Sequence, residues 1–255
     1  MKTTLKLSTL LVALVSVFTF SSCLNDDNNT QRATYYSFVT IAGDDFIGYT
    51  FYADFGATLR PTTASIMEVL PRLGESGAKR AYVAFDLASE TENGKTLEAG
   101  KSYDIIVRAD PMANYAIPTF ETVMSIEPTD SLHTKNQHIQ NVNKDIWAIN
   151  GYVNAQLTID YHQEKPFYLN TYYTSEDIDV ANNTLNLNIY FNKNSETSTG
   201  QGSSIISFKL PEQLASNFTD SVKLVLNAIT GYDDSQLTKV GECKVALEDF
   251  HVPMY

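Results

Sequence analysis

From Thr34 onward the chain alternates between apolar and polar residues. In residues 79–87, Ala81, Val83, Phe85 and Leu87 take one parity, and Tyr82, Ala84 and Asp86 take the other. A period of two puts each set on its own face of an extended strand. The parity recurs in 49–54, where Tyr49, Phe51 and Ala53 oppose Tyr52 and Asp54. It recurs in 102–109, where Tyr103, Ile105 and Val107 oppose Asp104, Ile106 and Arg108. Residues 36–42 and 119–126 complete the set. Gly43-Asp44-Asp45 and Glu92-Asn93-Gly94-Lys95 read as turns, and Thr58-Leu59-Arg60-Pro61 reads as the chain leaving its second strand. Residues 62–70 fit a strand or a short helix equally. Five or six strands across 34–128 suit a small closed barrel, about as many as one such barrel needs.

The pattern stops at 127–143, where Pro128, Asp130, His133, Lys135, Asn136, Gln137 and His138 leave little to bury. We read 129–143 as a surface linker and 144–255 as a second domain. Two strands flank Asn150-Gly151, a pair that favours a hairpin turn. After it Val153, Ala155, Leu157, Ile159 and Tyr161 share one face. Strands follow at 167–173, 184–191, 204–210, 221–230 and 239–247, with a long polar loop over 192–202. Pro211 and Glu212 open one short helix over 211–218, Pro where no donor is needed and Glu where the helix dipole favours it. Seven short strands with polar turns fit a β-sandwich. The expected fold is therefore all-β: an OB-like barrel followed by a C-terminal β-sandwich with one short helix.

Residues 1–33 differ from both domains. Lys2 and Lys6 precede an apolar run, 7–20, interrupted only by Ser8, Thr9, Ser16 and Thr19. That run has the length of a signal core and falls short of the ~20 residues of a bilayer span. Ser21-Ser22 then supply small side chains ahead of a thiol, Cys23. The pattern resembles the bacterial lipobox, with Phe20 in place of the usual Leu, as in the relaxed lipobox of Bacteroidetes-type bacteria. We expect 1–22 to be a lipoprotein signal peptide, Cys23 the lipidated first residue, and 23–33 a tether. Leu24 follows the Cys, so the inner-membrane retention signal of some proteobacteria is absent. Asn25-Asp26-Asp27 resembles a surface-export signal, and the expected place is the outer membrane, on its periplasmic face or at the cell surface. Several acyl chains on Cys23 would anchor stably where a single one does not.

Charge narrows the partners. Eighteen Lys and Arg stand against thirty Asp and Glu, and two of the eighteen leave with the leader. Nucleic acid is excluded, since phosphate contacts need a basic surface. Anionic membrane surfaces should repel the chain, so its membrane association rests on the lipid. With Cys23 acylated, Cys243 has no disulfide partner, and its alternating surroundings make it a structural thiol.

One combination is family-like. Lys144-Asp145-Ile146-Trp147, Gly151-Tyr152-Val153-Asn154 and the strand end Tyr161 follow a lipoprotein leader and an aromatic-rich barrel. With Phe55-Gly56-Ala57-Thr58-Leu59-Arg60-Pro61, Lys79-Arg80-Ala81-Tyr82-Val83 and Ile206-Ser207-Phe208-Lys209-Leu210, the chain resembles the NigD-like lipoproteins of Bacteroidetes. The resemblance implies an N-terminal OB-type domain, a C-terminal β-sandwich, and an immunity or accessory role linked to bacteriocin operons. It implies no activity that can be carried over by residue.

No catalytic residue, metal ligand set or cofactor motif stands out. His133 and His138 are five apart, which suits neither a helix face nor a strand face. Gly200-Gln201-Gly202-Ser203 is a loop, not a nucleophile elbow. Glu176, Asp177 and Asp179, and the pair Asp233-Asp234, lack EF-hand spacing and read as solvated loops. Tyr52, Tyr82, Tyr172, Tyr173 and Tyr190 are candidates for outward rings, and Trp147 for the core. The sequence therefore indicates a non-enzymatic, lipid-anchored binding protein of the cell envelope with an unknown protein or glycan partner. A surface glycan-binding lipoprotein is the alternative, and a secreted hydrolase has the least support.

Overall fold

The structure is a computed structural model that describes residues 32–44, 48–73, 79–92, 94–124, 136–231 and 236–253. The leader, Cys23, most of the tether, His133 and Asp233-Asp234 lie outside the described residues.

The first sheet holds β1 (Thr34–Asp44), β2 (Gly48–Ala53), β3 (Thr58–Pro61), β4 (Arg80–Leu87) and β5 (Ser102–Val107). Their order is β1-β2-β3-β5-β4, and β4 pairs back onto β1, closing the barrel. β3 and β5 run parallel and the other pairs antiparallel. This is the Greek-key order of an OB-type barrel. Thr58–Pro61 is thus a strand, not a departing loop. Its short length hides it in sequence, but it carries the parallel pairing that closes the barrel.

α1 (Thr63–Leu73) lies between β3 and β4, where the sequence left strand and helix open. Ile66, Val69 and Leu73 recur at helical spacing and pack into the barrel core with Phe51, Leu59, Phe85 and Ile105. Ser65 Oγ donates to the Thr62 carbonyl, tying the helix start to the strand end. A last short strand, β6 (Tyr115–Ala116), pairs with β4.

The sandwich begins earlier than the linker reading suggests. The described part of 119–126, read above as the barrel's last strand, instead forms β7 (Thr119–Phe120) and β8 (Thr122–Met124). β9 (Asn141–Val142), β10 (Trp147–Ile149), β11 (Tyr152–Tyr161), β12 (Tyr168–Tyr173), β13 (Ile178–Asp179), β14 (Thr184–Asn192), β15 (Gly200–Lys209), β16 (Ser221–Ala228) and β17 (Thr238–Ala246) follow. One sheet runs β10-β11-β15-β7 with β9 beside β11, and the other runs β17-β16-β14-β12-β8 with β13 beside β14. β7 and β8 join different sheets, so the chain fastens both layers as it leaves the barrel. Part of the presumed linker is also drawn in. Gln137 N donates to the Phe191 carbonyl, Ile139 N to the Ile229 carbonyl, and Ile139 is buried. The expected short helix is a 3-10 segment, Glu212–Asn217, that buries Leu214 and Ala215.

Alternation fills the sandwich core. Val153, Ala155, Leu157, Ile206 and Phe208 from one sheet meet Leu185, Leu187, Ile189, Phe191, Leu224 and Leu226 from the other. Asn150 and Gly151 both have positive φ, at 53° and 82°, as a two-residue hairpin turn requires. Gly151 also packs against the chain's C-terminal stretch. Its N–H donates to the Asp249 carbonyl, and a Cβ there would sit 2.5 Å from Val252 Cγ2. Gly100 has a similar φ of 75° with open space around it. Gly151→Ala should therefore destabilise more than Gly100→Ala, which loses only the roughly 1 kcal/mol of a disfavoured backbone. Urea titration of both variants would show it as a larger drop in midpoint for Gly151→Ala.

Candidate functional site

The barrel's outward parity does not simply face water. Thr40 on β1, Arg80 on β4 and Asp54 just past β2 all point away from the barrel core, and Thr40 is the register partner of Arg80. Arg80 is nevertheless 0% exposed. Its guanidinium grips Asp54 with two bonds, Nη1–Oδ1 at 2.6 Å and Nη2–Oδ2 at 2.7 Å. It also donates to Thr40 Oγ1 at 2.9 Å and, across the domain boundary, to Asn154 Oδ1 at 2.9 Å.

The sandwich supplies the rest. Asn154 lies on β11 between register partners Trp147 and Ser207. Ser207 Oγ donates to Asn154 Oδ1 at 2.6 Å, and Asn154 Nδ2 donates to the Trp147 carbonyl at 3.3 Å. Trp147 Nε1 reaches back to Asp54 Oδ2 at 2.6 Å, so the carboxylate is held from both domains. The Tyr152 ring lies 5.8 Å from the guanidinium, and Asn150 Nδ2 donates to the Tyr52 carbonyl at 3.4 Å. Arg80 Nε has no acceptor among the described residues. Trp147 is therefore a half-buried interface residue, not a core one: its indole N–H needs an acceptor and finds a carboxylate.

Beyond the clamp the same barrel face carries an aromatic strip. Tyr82 is its hub, with ring centroids 4.8 Å from Phe38, 5.6 Å from Tyr115 and 6.1 Å from Tyr36. Phe38 continues to Trp147 at 5.4 Å. At the far end Tyr36 Oη donates to Asp110 Oδ2 at 2.7 Å, and this bond pushes the phenol up to about 12. Asp86, buried nearby, is paired with Arg108 and accepts from Thr34.

The other sequence candidates scatter. Tyr173 and Tyr190 are buried, which corrects their outward reading: Tyr173 belongs to the sandwich core. Tyr52 and Tyr172 are half-buried. Asp177 Oδ2 accepts from Thr174 in its own turn and from Asn188 on β14, and Asp179 accepts from Asn182, so both carboxylates hold local structure. His251 pairs with Glu212 at 2.6 Å. Among the described residues no three His, Cys, Asp or Glu gather to hold a metal ion. Sequence reasoning missed Arg80 as a site residue. Its signal was a charge inside a family-like strand motif.

Residues 122–240 match the family model of the NigD-like C-terminal beta sandwich domain. The C-terminal part of this chain is a NigD-like β-sandwich domain. No curated protein matches the chain. Solved structures share the fold over most of this chain. One, from Parabacteroides distasonis and described as toxin-related, is 17% identical with a TM-score of 0.58, covering 85% of this chain and 95% of its own. Another, from Bacteroides fragilis and described as a lipoprotein, is 13% identical with a TM-score of 0.52, covering 84% and 98%. At these identities the likeness is one of fold.

Two outcomes follow from this geometry. Arg80→Ala or Asp54→Ala should each cost about 3–5 kcal/mol by stranding the other charge, while a paired Arg80→Met/Asp54→Leu variant should cost less than either. Arg80→Lys should not rescue, because an ammonium cannot fork onto a carboxylate. Urea unfolding followed by Trp147 fluorescence and by circular dichroism measures all four variants. Separately, burial pushes the Cys243 thiol up to about 12, leaving a thiolate fraction on the order of 10⁻⁴ at pH 8. In a Cys23→Ala chain, iodoacetamide should label Cys243 slowly at pH 8 and rapidly once urea is added.

Proposed function

We propose that this chain is a lipid-anchored, non-enzymatic binding protein of the cell envelope, an immunity-like or accessory module held in the outer membrane through Cys23. The observation that carries the reading is the open aromatic end of a barrel wall whose other end is locked to a NigD-like sandwich. Rigid scaffolds with exposed aromatic patches are built to dock partners. The family association with bacteriocin operons and the toxin-related and lipoprotein descriptions of its structural neighbours support the same role. The leader and the small residues before Cys23 support the anchorage.

Palmitate labelling and protease shaving of intact cells test it together. The wild-type chain should take label and Cys23→Ala should not. Shaving should remove a surface-facing chain and spare a periplasmic one. Cells deleted for the chain should gain toxin sensitivity or lose an envelope complex recovered by crosslinking. A chain without label, or a deletion that changes neither phenotype, overturns the reading.

A further inference from the structure

The aromatic strip ends in the open. Tyr36 is 40% exposed and Tyr115 is 44% exposed, and Met112, between Asp110 and Tyr115 in sequence, is 80% exposed. The rings of Tyr36 and Tyr115 pack on the half-buried Tyr82 on one wall, spanning β1, β4 and β6, and Met112 lies in the turn that leads into β6. A strand face that only covers a barrel carries polar residues there. This one carries ring faces, whose electron clouds are negative, and the turn beside it exposes a thioether that adapts to the shape of its partner.

Asp110 decides the sign of the partner. Its carboxylate accepts from the Tyr36 hydroxyl and from the Met112 N–H, both neutral donors. Among the described residues no Lys or Arg pairs with it, since the nearby Arg108 is committed to Asp86. The carboxylate therefore has no countercharge among the described residues at the rim of the strip. The whole chain, at −12, adds a field of the same sign. Such a field repels nucleic acid and anionic lipid and gains nothing from a neutral sugar, but it steers a cation inward.

The geometry points to a docking site for a basic polypeptide segment, with Lys or Arg side chains lying over Tyr36, Tyr82 and Tyr115 and pairing with Asp110. This rests on the proposed binding role and names the chemistry of the partner.

The test uses the full mature chain in neutral detergent. The probe is a fluorescein-labelled decapeptide of alternating arginine and glycine, followed by anisotropy at low salt. Saturable binding is expected. Tyr115→Ala and Asp110→Asn should each weaken it roughly three- to tenfold. Glu176→Gln, an equal charge change on an exposed sandwich turn, should leave it unchanged. Thermal melts should show all three variants folded, as these side chains sit at the surface. Equal losses for Asp110→Asn and Glu176→Gln would reduce the effect to diffuse charge and overturn the site. So would unchanged binding in Tyr115→Ala, or absent binding. Saturable binding of laminarihexaose that Tyr115→Ala abolishes, with none of the arginine peptide, would assign the face to carbohydrate and also overturn the proposal. In each of these cases the deletion phenotype still stands or falls independently, so losing the basic partner does not remove the envelope role.

Discussion

The fold depends on one buried charge being answered from two domains. Arg80 sits at 0% exposure on a strand whose outward side would, in a lone barrel, meet water. Asp54 matches it from the barrel, and Asn154 and Trp147 complete the shell from the sandwich. A buried ion pair contributes little net stability, because desolvation offsets much of the attraction. What it contributes is selectivity. Any other docking of sandwich on barrel would leave a guanidinium and a carboxylate dry and short of partners, at a cost of several kcal/mol. The clamp thus works with the short connection from β6 to β7, where Ile117 N donates to the Arg80 carbonyl and Ser207 N to the Pro118 carbonyl, in holding one domain against the other.

This gives the family-like motifs a physical meaning. Lys79-Arg80-Ala81-Tyr82-Val83 delivers both the clamp and the hub of the aromatic strip. Trp147 and the run Gly151-Tyr152-Val153-Asn154 supply the sandwich side of the clamp and the turn beneath it. Phe55-Gly56-Ala57-Thr58-Leu59-Arg60-Pro61 holds the short β3 strand that closes the barrel. Segments far apart in the chain serve one closed barrel and one interface, which constrains their residues together.

Strand parity was legible because burial of one face writes itself into alternate residues, as in Val83, Phe85 and Leu87. β3 was not, since four residues are too few for a period to show. β7 and β8 were legible as strands but not as sandwich strands: local pattern says extended, and only long-range pairing says with which sheet. α1 stayed ambiguous because Thr and Ile are at home in strands, and its packing against the barrel decided for helix. Arg80 was hidden, and Trp147 read as core, because a local pattern does not show the surface of the other domain. An outward residue reads as solvated until a second domain lands on it. Tyr190 failed likewise, outward by parity yet buried.

The outer wall of the barrel therefore has two fates along one line of residues. At Thr40 and Arg80 the sandwich covers it, and polar groups there are matched one to one. At Phe38 and Tyr82 the coverage thins, with Trp147 as the last sandwich side chain in ring contact. At Tyr36, Tyr115 and Asp110 it is open, and among the described residues the carboxylate has only neutral donors. The clamp makes the open end rigid, because the strands that carry Tyr36 and Tyr82 are the strands that carry Thr40 and Arg80. A surface held this way loses little conformational entropy when a partner arrives, which is what a docking face needs.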